Sequence, residues 1–164
     1  MIHNLTEAFT YKRASIVGNA LLNMEEGLED GKVKLFVEQL EILLSDISFH
    51  LLPKKKNNKQ SAFEVWEGYF QTIIYLVTSF MGLDVQTEIT KHKGRLDLLV
   101  ETDKYLYIME FKLEEPVKNA IQQIKNRQYA AAYKNSPKTV FLVGISFSKT
   151  ERNVDAWEVE IWER

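Results

Sequence analysis

Apolar residues recur at helical spacing through the first half of the chain, and past Leu83 the spacing shifts towards two. Over residues 1–28, Leu5, Phe9, Ile16, Val17, Ala20, Leu21 and Met24 form an irregular pattern that predicts one or two helices. After Asp30-Gly31, Phe36, Leu40, Leu43, Leu44, Ile47 and Leu51 predict an amphipathic helix of about five turns, ending before Pro53. Ser61 followed by Glu64 is a capping-box signature. The helix it opens buries Phe63, Trp66, Phe70, Ile73, Ile74, Val77 and either Phe80 or Met81, and Gly82 stops it.

The second half reads as strands with one helical interruption. Asp84 to Thr90 predicts a short strand, and Gly94 to Leu113 predicts two strands joined at Thr102-Asp103-Lys104. If Asp103 and Lys104 form a two-residue loop, Leu99 faces Ile108 and Asp97 sits across from Glu110. Pro116 precedes a helix from Val117 to about residue 134, with Ala120, Ile121, Ile124 and Ala131 towards the sheet. Val140 to Val143 mark a central strand buried on both sides within Thr139–Phe147, and Asn153 to Trp162 reads as a last strand near an edge. The intervening helix makes a β-α-β crossover. The fold expected is α/β, a mixed sheet of about five strands flanked by helices. A helical N-terminal extension, residues 1–34, precedes a domain over residues 35–164.

Composition narrows the chemistry. The chain has 164 residues and no cysteine, so disulfides and thiolate metal sites are excluded and a reducing cytoplasm is the expected setting. The longest greasy run, Phe70 to Leu83, is interrupted by Gln71, Thr72, Thr78 and Ser79, and no membrane anchor is expected. A net charge of −2 gives no overall basic field, so any contact with nucleic acid needs a local patch. Two basic stretches offer one. Residues 53–60 carry four lysines that read equally as a solvated linker, and Lys91, Lys93 and Arg95 surround His92 immediately before Asp97. There is no GxxxxGK[ST] loop and no Ser-His-Asp constellation.

The chemistry concentrates in the predicted hairpin. Like charges facing each other across a ladder repel, so Asp97 and Glu110 call for a positive group between them. Period two puts Lys112 on the face of Glu110, and a hard divalent cation held by the carboxylates would also satisfy the arrangement. The competing reading is a solvated strand end with Arg95 or Lys112 pairing the acids. Along one edge of the preceding helix lie Glu67, Gln71 and Tyr75, four residues apart.

The order G-R-x-D, about a dozen residues, then E-F-K resembles motifs II and III of the PD-(D/E)XK nuclease superfamily. The resemblance extends over residues 35–163, through VQTEIT, AIQQIKNRQYAAAY, VFLVGISF and NVDAWEVEIW, to the bacterial domain found C-terminal to AAA-type ATPase-like regions. It implies a restriction-endonuclease-like fold and metal-dependent cleavage of nucleic acid, DNA foremost. Mg²⁺ or Mn²⁺ would be held by Asp97 and Glu110, with Glu67 or else Gln71 completing the site. Lys112 would serve as the catalytic lysine and Gln123 would approach the metal, while Lys91, Lys93 and Arg95 would contact phosphates. An AAA-type ATPase region or partner is also implied. The alternative is an inactive nuclease-like module that binds nucleic acid or protein. The Q-x-x-x-Y pair of such nucleases is not matched in spacing, since Tyr129 and Tyr133 both lie farther from Gln123.

Overall fold

A computed structural model describes residues 11–47, 62–91 and 94–163. The expectations for residues 1–10, the lysine-rich stretch 53–60, the Ser61 cap, His92 and Lys93 lie outside these residues. Among the described residues three helices come first: α1 (Tyr11–Glu29), α2 (Val33–Asp46) and α3 (Ala62–Phe80). Strands β1 (Asp84–Lys91), β2 (Gly94–Glu101) and β3 (Tyr105–Leu113) follow, then α4 (Lys118–Arg127), β4 (Thr139–Ser148) and β5 (Asn153–Ile161).

The strands form one five-stranded sheet in the order β1-β2-β3-β4-β5. Only β3 and β4 run parallel, as a strand–helix–strand crossover requires. The expected mixed α/β sheet is therefore what forms. The two-residue loop also forms, with Thr102 N–H donating to Tyr105 O at 2.9 Å and Leu99 facing Ile108.

Alternation along β3 explains both cores. Tyr107, Met109, Phe111 and Leu113 pack with α1, α2 and α3 on one face, where Met24 and Leu28 of α1 join the same cluster. Leu106 and Ile108 turn to the other face, against Ile121 and Ile124 of α4. On that second face the next two positions are Glu110 and Lys112, so the strand's apolar stripe gives way to an acid and an amine. Phe70 fixes α3 by stacking on Phe147 of β4, ring centroids 4.3 Å apart. Its neighbour Gln71 is half-buried and reaches Asp97 of β2.

Two helices end earlier than their periodicity suggests. α2 stops at Asp46 because Ile47 is extended (φ −70°, ψ 123°) and its N–H closes the last turn on Leu44 O. The helix expected to reach residue 134 stops at Arg127, where Gln128 adopts a left-handed conformation (φ 55°, ψ 37°) and a 3₁₀ turn, Tyr129–Tyr133, takes over. The break shifts the phase, so Tyr129 and Ala130 are buried and Ala131, expected to face the sheet, is exposed. At the other end of α3, Met81 rather than Phe80 is the buried residue, and Gly82 takes the positive φ that ends the helix (φ 71°).

Gly144 of β4 lies beside Glu110 in the parallel register and faces α4. A Cβ there would stand 3.0 Å from Ala120 Cβ and 3.2 Å from Val117 O, so only glycine lets the helix lie this close. Gly144→Ala is expected to destabilise the protein by about 1–3 kcal/mol by forcing α4 outward. A thermal melt checks this, and an unchanged midpoint would show that the helix yields freely.

Candidate active site

The β2–β3 ladder runs from the Glu101/Leu106 pair to the Leu98/Met109 pair and stops there. Asp97 and Glu110, one step further, are not joined as ladder partners. Instead the Asp97 carboxylate takes the place of a ladder carbonyl: Phe111 N–H donates to its Oδ2 at 2.8 Å. Its Oδ1 accepts from Gln71 Nε2 at 3.2 Å, which ties α3 to the strand end. Glu67, one turn earlier on the same helix edge, is half-buried.

Glu110 is 2 % exposed. Its Oε1 accepts from Gln123 Nε2 and from Lys112 Nζ at 3.4 Å, and Lys112 Nζ also donates to Gln123 Oε1 at 2.8 Å. These three side chains close a ring of contacts between β3 and α4. The other carboxylate oxygen, Oε2, is buried and among the described residues has no hydrogen-bond partner, although the Asp97 backbone weakly favours the charged form of the carboxylate. A buried acceptor left this way costs about 1–3 kcal/mol, more when charged, so its retention needs a reason.

Burial, and then the nearby Asp97 carboxylate, push the Glu110 pKa up to about 8, with Lys112 pulling the other way. The acid is thus poised near neutrality and responds to any cation placed at Oε2.

Tyr129 is a site residue that the sequence pattern left undecided. It is 2 % exposed, and its hydroxyl contacts Gln123. Burial and then the charges of Glu110 and Asp97 raise its pKa. The left-handed Gln128 supplies this placement, six residues after Gln123. Tyr129→Phe is expected to leave folding within about 1 kcal/mol and, by loosening the Gln123 amide, to lower the rate of any reaction at this site roughly tenfold. A rate equal to wild type would make the hydroxyl a packing detail.

Of the remaining expected residues, Lys91 and Arg95 lie at the tip of the β1–β2 hairpin, two residues or fewer from the Lys91/Gly94 closing pair. Among the described residues, no group of three or more histidine, cysteine or carboxylate side chains is gathered to hold a metal ion. The donor set at the strand end is two carboxylates, the number with which Mg²⁺ commonly keeps several waters. The orphaned Oε2 beside a second carboxylate fits such an ion.

Two carboxylates and a lysine on adjacent strands of a mixed sheet, backed by an amide from the crossover helix, define a carboxylate–lysine site at a strand end. Residues 65–157 match the description of the PD-(D/E)XK nuclease superfamily, and the chain belongs to that superfamily. Its members typically use divalent metals and act on nucleic acid. A protein of Azotobacter chroococcum mcd 1, described as an uncharacterized protein in the vnfD 5′ region, is 35% identical over 97 residues. That match takes in 58% of this chain and 19% of the relative, so the chain spans about a fifth of the relative's length. No described helix is long and apolar enough to cross a membrane.

Proposed function

We propose that the protein is a divalent-metal-dependent nuclease cleaving phosphodiester bonds in DNA. The observation that carries the reading is the buried, partnerless Oε2 of Glu110 beside Asp97. Asp97 and Glu110 would hold Mg²⁺ or Mn²⁺, with Gln71 of α3, which bonds Asp97, completing the site in place of Glu67, which is not gathered with the two carboxylates. The bound ion supplies Lewis-acid charge and makes water at the site more acidic.

The chain's own groups do the rest. Lys112 Nζ, held at 2.8 Å by Gln123 Oε1, is positioned to orient or accept a proton from the attacking water or to neutralise charge on the phosphate. Gln123 fixes Glu110 and Lys112 relative to each other. Gln71 and Phe111 N–H hold the Asp97 carboxylate in one orientation. Lys91, Lys93 and Arg95, next to Asp97 in the chain, would meet substrate phosphates. In this reading residues 35–164 carry the nuclease-like module and residues 1–34 extend it. In the same reading the module works in the cytoplasm with an AAA-type ATPase region or partner.

Calorimetric titration of Mn²⁺ into wild type and Asp97→Asn, each with and without a short DNA duplex, tests the proposal. Saturable binding in wild type that is lost in the variant, accompanied by cleavage, is the expected result. No binding under either condition would leave the carboxylates without a shared cation and favour a non-catalytic module that binds nucleic acid or protein.

A further inference from the structure

The crossover helix is polar in one particular way. Its ten residues, KNAIQQIKNR, contain four carboxamides and three cations and no acid, in a chain whose net charge is −2. Ala120, Ile121 and Ile124 are buried against the sheet, and Gln123 turns its amide to Glu110 and Lys112. Lys118, Asn119, Gln122, Asn126 and Arg127 are exposed on the outer face. Asn119, Gln122, Asn126 and Arg127, together with Gln123, line an open groove of about 320 Å³. The groove therefore shares a wall with the candidate active site.

We propose that this outer face of α4 is a nucleic-acid-binding surface that receives the substrate's backbone and base edges beside the bond to be cleaved. The inference rests on the nuclease reading and adds the route by which the polymer crosses the protein. Charge complementarity supports it, since a polyanion meets no carboxylate along the helix. Lys125 contributes least, because Glu160 of β5 already pairs with it at 2.6 Å, and Arg127 also has an interaction within the chain that it would exchange for a phosphate. Glu115, just before the helix, is engaged by the Asn119 amide at 3.1 Å.

The amides suit the same partner. Asn and Gln side chains pair a donor with an acceptor and can bond adenine edges or phosphate oxygens without adding net charge. Gln122 Nε2 and Asn126 Oδ1 are already aligned at 2.9 Å, one turn apart, presenting a continuous donor–acceptor row. From Lys118 to Arg127 the helix advances about 13 Å, close to four base-pair rises of duplex. A protein or apolar small molecule would have little to bury here, since the exposed row carries no large hydrophobic side chain.

The test measures anisotropy of a fluorescent 20-base-pair DNA with Ca²⁺ in place of the catalytic ion, for wild type, Lys118→Glu/Arg127→Glu, and Gln122→Ala/Asn126→Ala. Hydrolysis of bis(p-nitrophenyl) phosphate with Mn²⁺ is followed in parallel, because this small diester is too short to reach from the metal site to the exposed outer face of α4. Charge reversal is expected to weaken DNA binding at least tenfold and to flatten the salt dependence by about two counterions. The amide variant should lose roughly three- to tenfold, and both should hydrolyse the small diester within about twofold of wild type. Unchanged DNA affinity in both variants, or no DNA binding by wild type, overturns the surface. Absence of small-diester hydrolysis by wild type instead overturns the nuclease reading, so the two failures are separable. All the substituted residues are exposed, and matched circular-dichroism melts confirm that the variants are folded.

Discussion

Glu110→Gln is expected to raise the melting temperature of the metal-free protein at pH 9 while abolishing both Mn²⁺ binding and cleavage. The opposite signs follow from one carboxyl group. Burial and the Asp97 charge raise its pKa from an ordinary 4.5 to about 8. Below pH 4.5 the group is protonated whether the chain is folded or not, and its burial is least costly. Between pH 4.5 and 8 the unfolded chain ionises and the native one does not, so stability falls as pH rises. Above pH 8 the native protein carries the buried charge, and the loss is complete. Each tenfold difference in proton affinity between the two states is worth about 1.4 kcal/mol, so the loss is on the order of a few kcal/mol, or roughly 5 °C or more for a chain of this size.

A neutral amide of the same shape removes that penalty, so the variant's melting temperature should be nearly flat where wild type declines. Mn²⁺ should raise the wild-type melting temperature, most strongly at pH 8–9, because binding requires the ionised carboxylate and stabilises only the native state. The variant should show no such rise. If Glu110→Gln lowers the melting temperature as much at pH 9 as at pH 5, the carboxylate is a structural hydrogen-bonding group and the orphaned Oε2 has no ion to explain it.

The centre of this site was legible in the sequence because it depends on short-range rules. A two-residue loop and a side-chain period of two are enough to pair Leu99 with Ile108, and from there Asp97, Glu110 and Lys112 fall together at the strand end. Helical spacing likewise put Glu67 and Gln71 on one edge of α3. Which of them meets Asp97 depends on how α3 is rotated over the sheet, and that is set by the stacking of Phe70 on Phe147, 77 residues away in sequence. Such a contact leaves no local pattern.

The end of α4 was harder to see. QIKNRQYAAAY has no proline or glycine and is rich in helix-forming residues, yet Gln128 turns left-handed. Burial of Tyr129 and Ala130 against the sheet outweighs the local preference of the segment. The same break gives the tyrosine its place beside Gln123. Gly144 did carry a readable signal, since a lone glycine inside a buried strand marks a close approach, here by Ala120 and Val117.

Lys112→Ala is expected to lower DNA cleavage by about 10²–10⁴-fold while leaving metal binding intact at pH 9. The lysine side chain is 16% exposed and sits between Glu110 Oε1 at 3.4 Å and Gln123 Oε1 at 2.8 Å. Its cation also opposes the rise in the Glu110 pKa, so removing it should move that pKa further up. Mn²⁺ affinity of the variant should therefore fall at pH 7 and recover at higher pH, with the midpoint displaced to the alkaline side. This displacement separates an electrostatic role on Glu110 from a direct role in the reaction, since the first is restored by pH and the second is not. Lys112→Arg should bring the pH midpoint back towards wild type without restoring cleavage, because a guanidinium keeps the charge but stays protonated and cannot accept a proton. Cleavage by Lys112→Ala at the wild-type rate, with an unmoved metal midpoint, would reduce Lys112 to an ion pair at a strand end and leave Glu110 without its counter-charge in the mechanism.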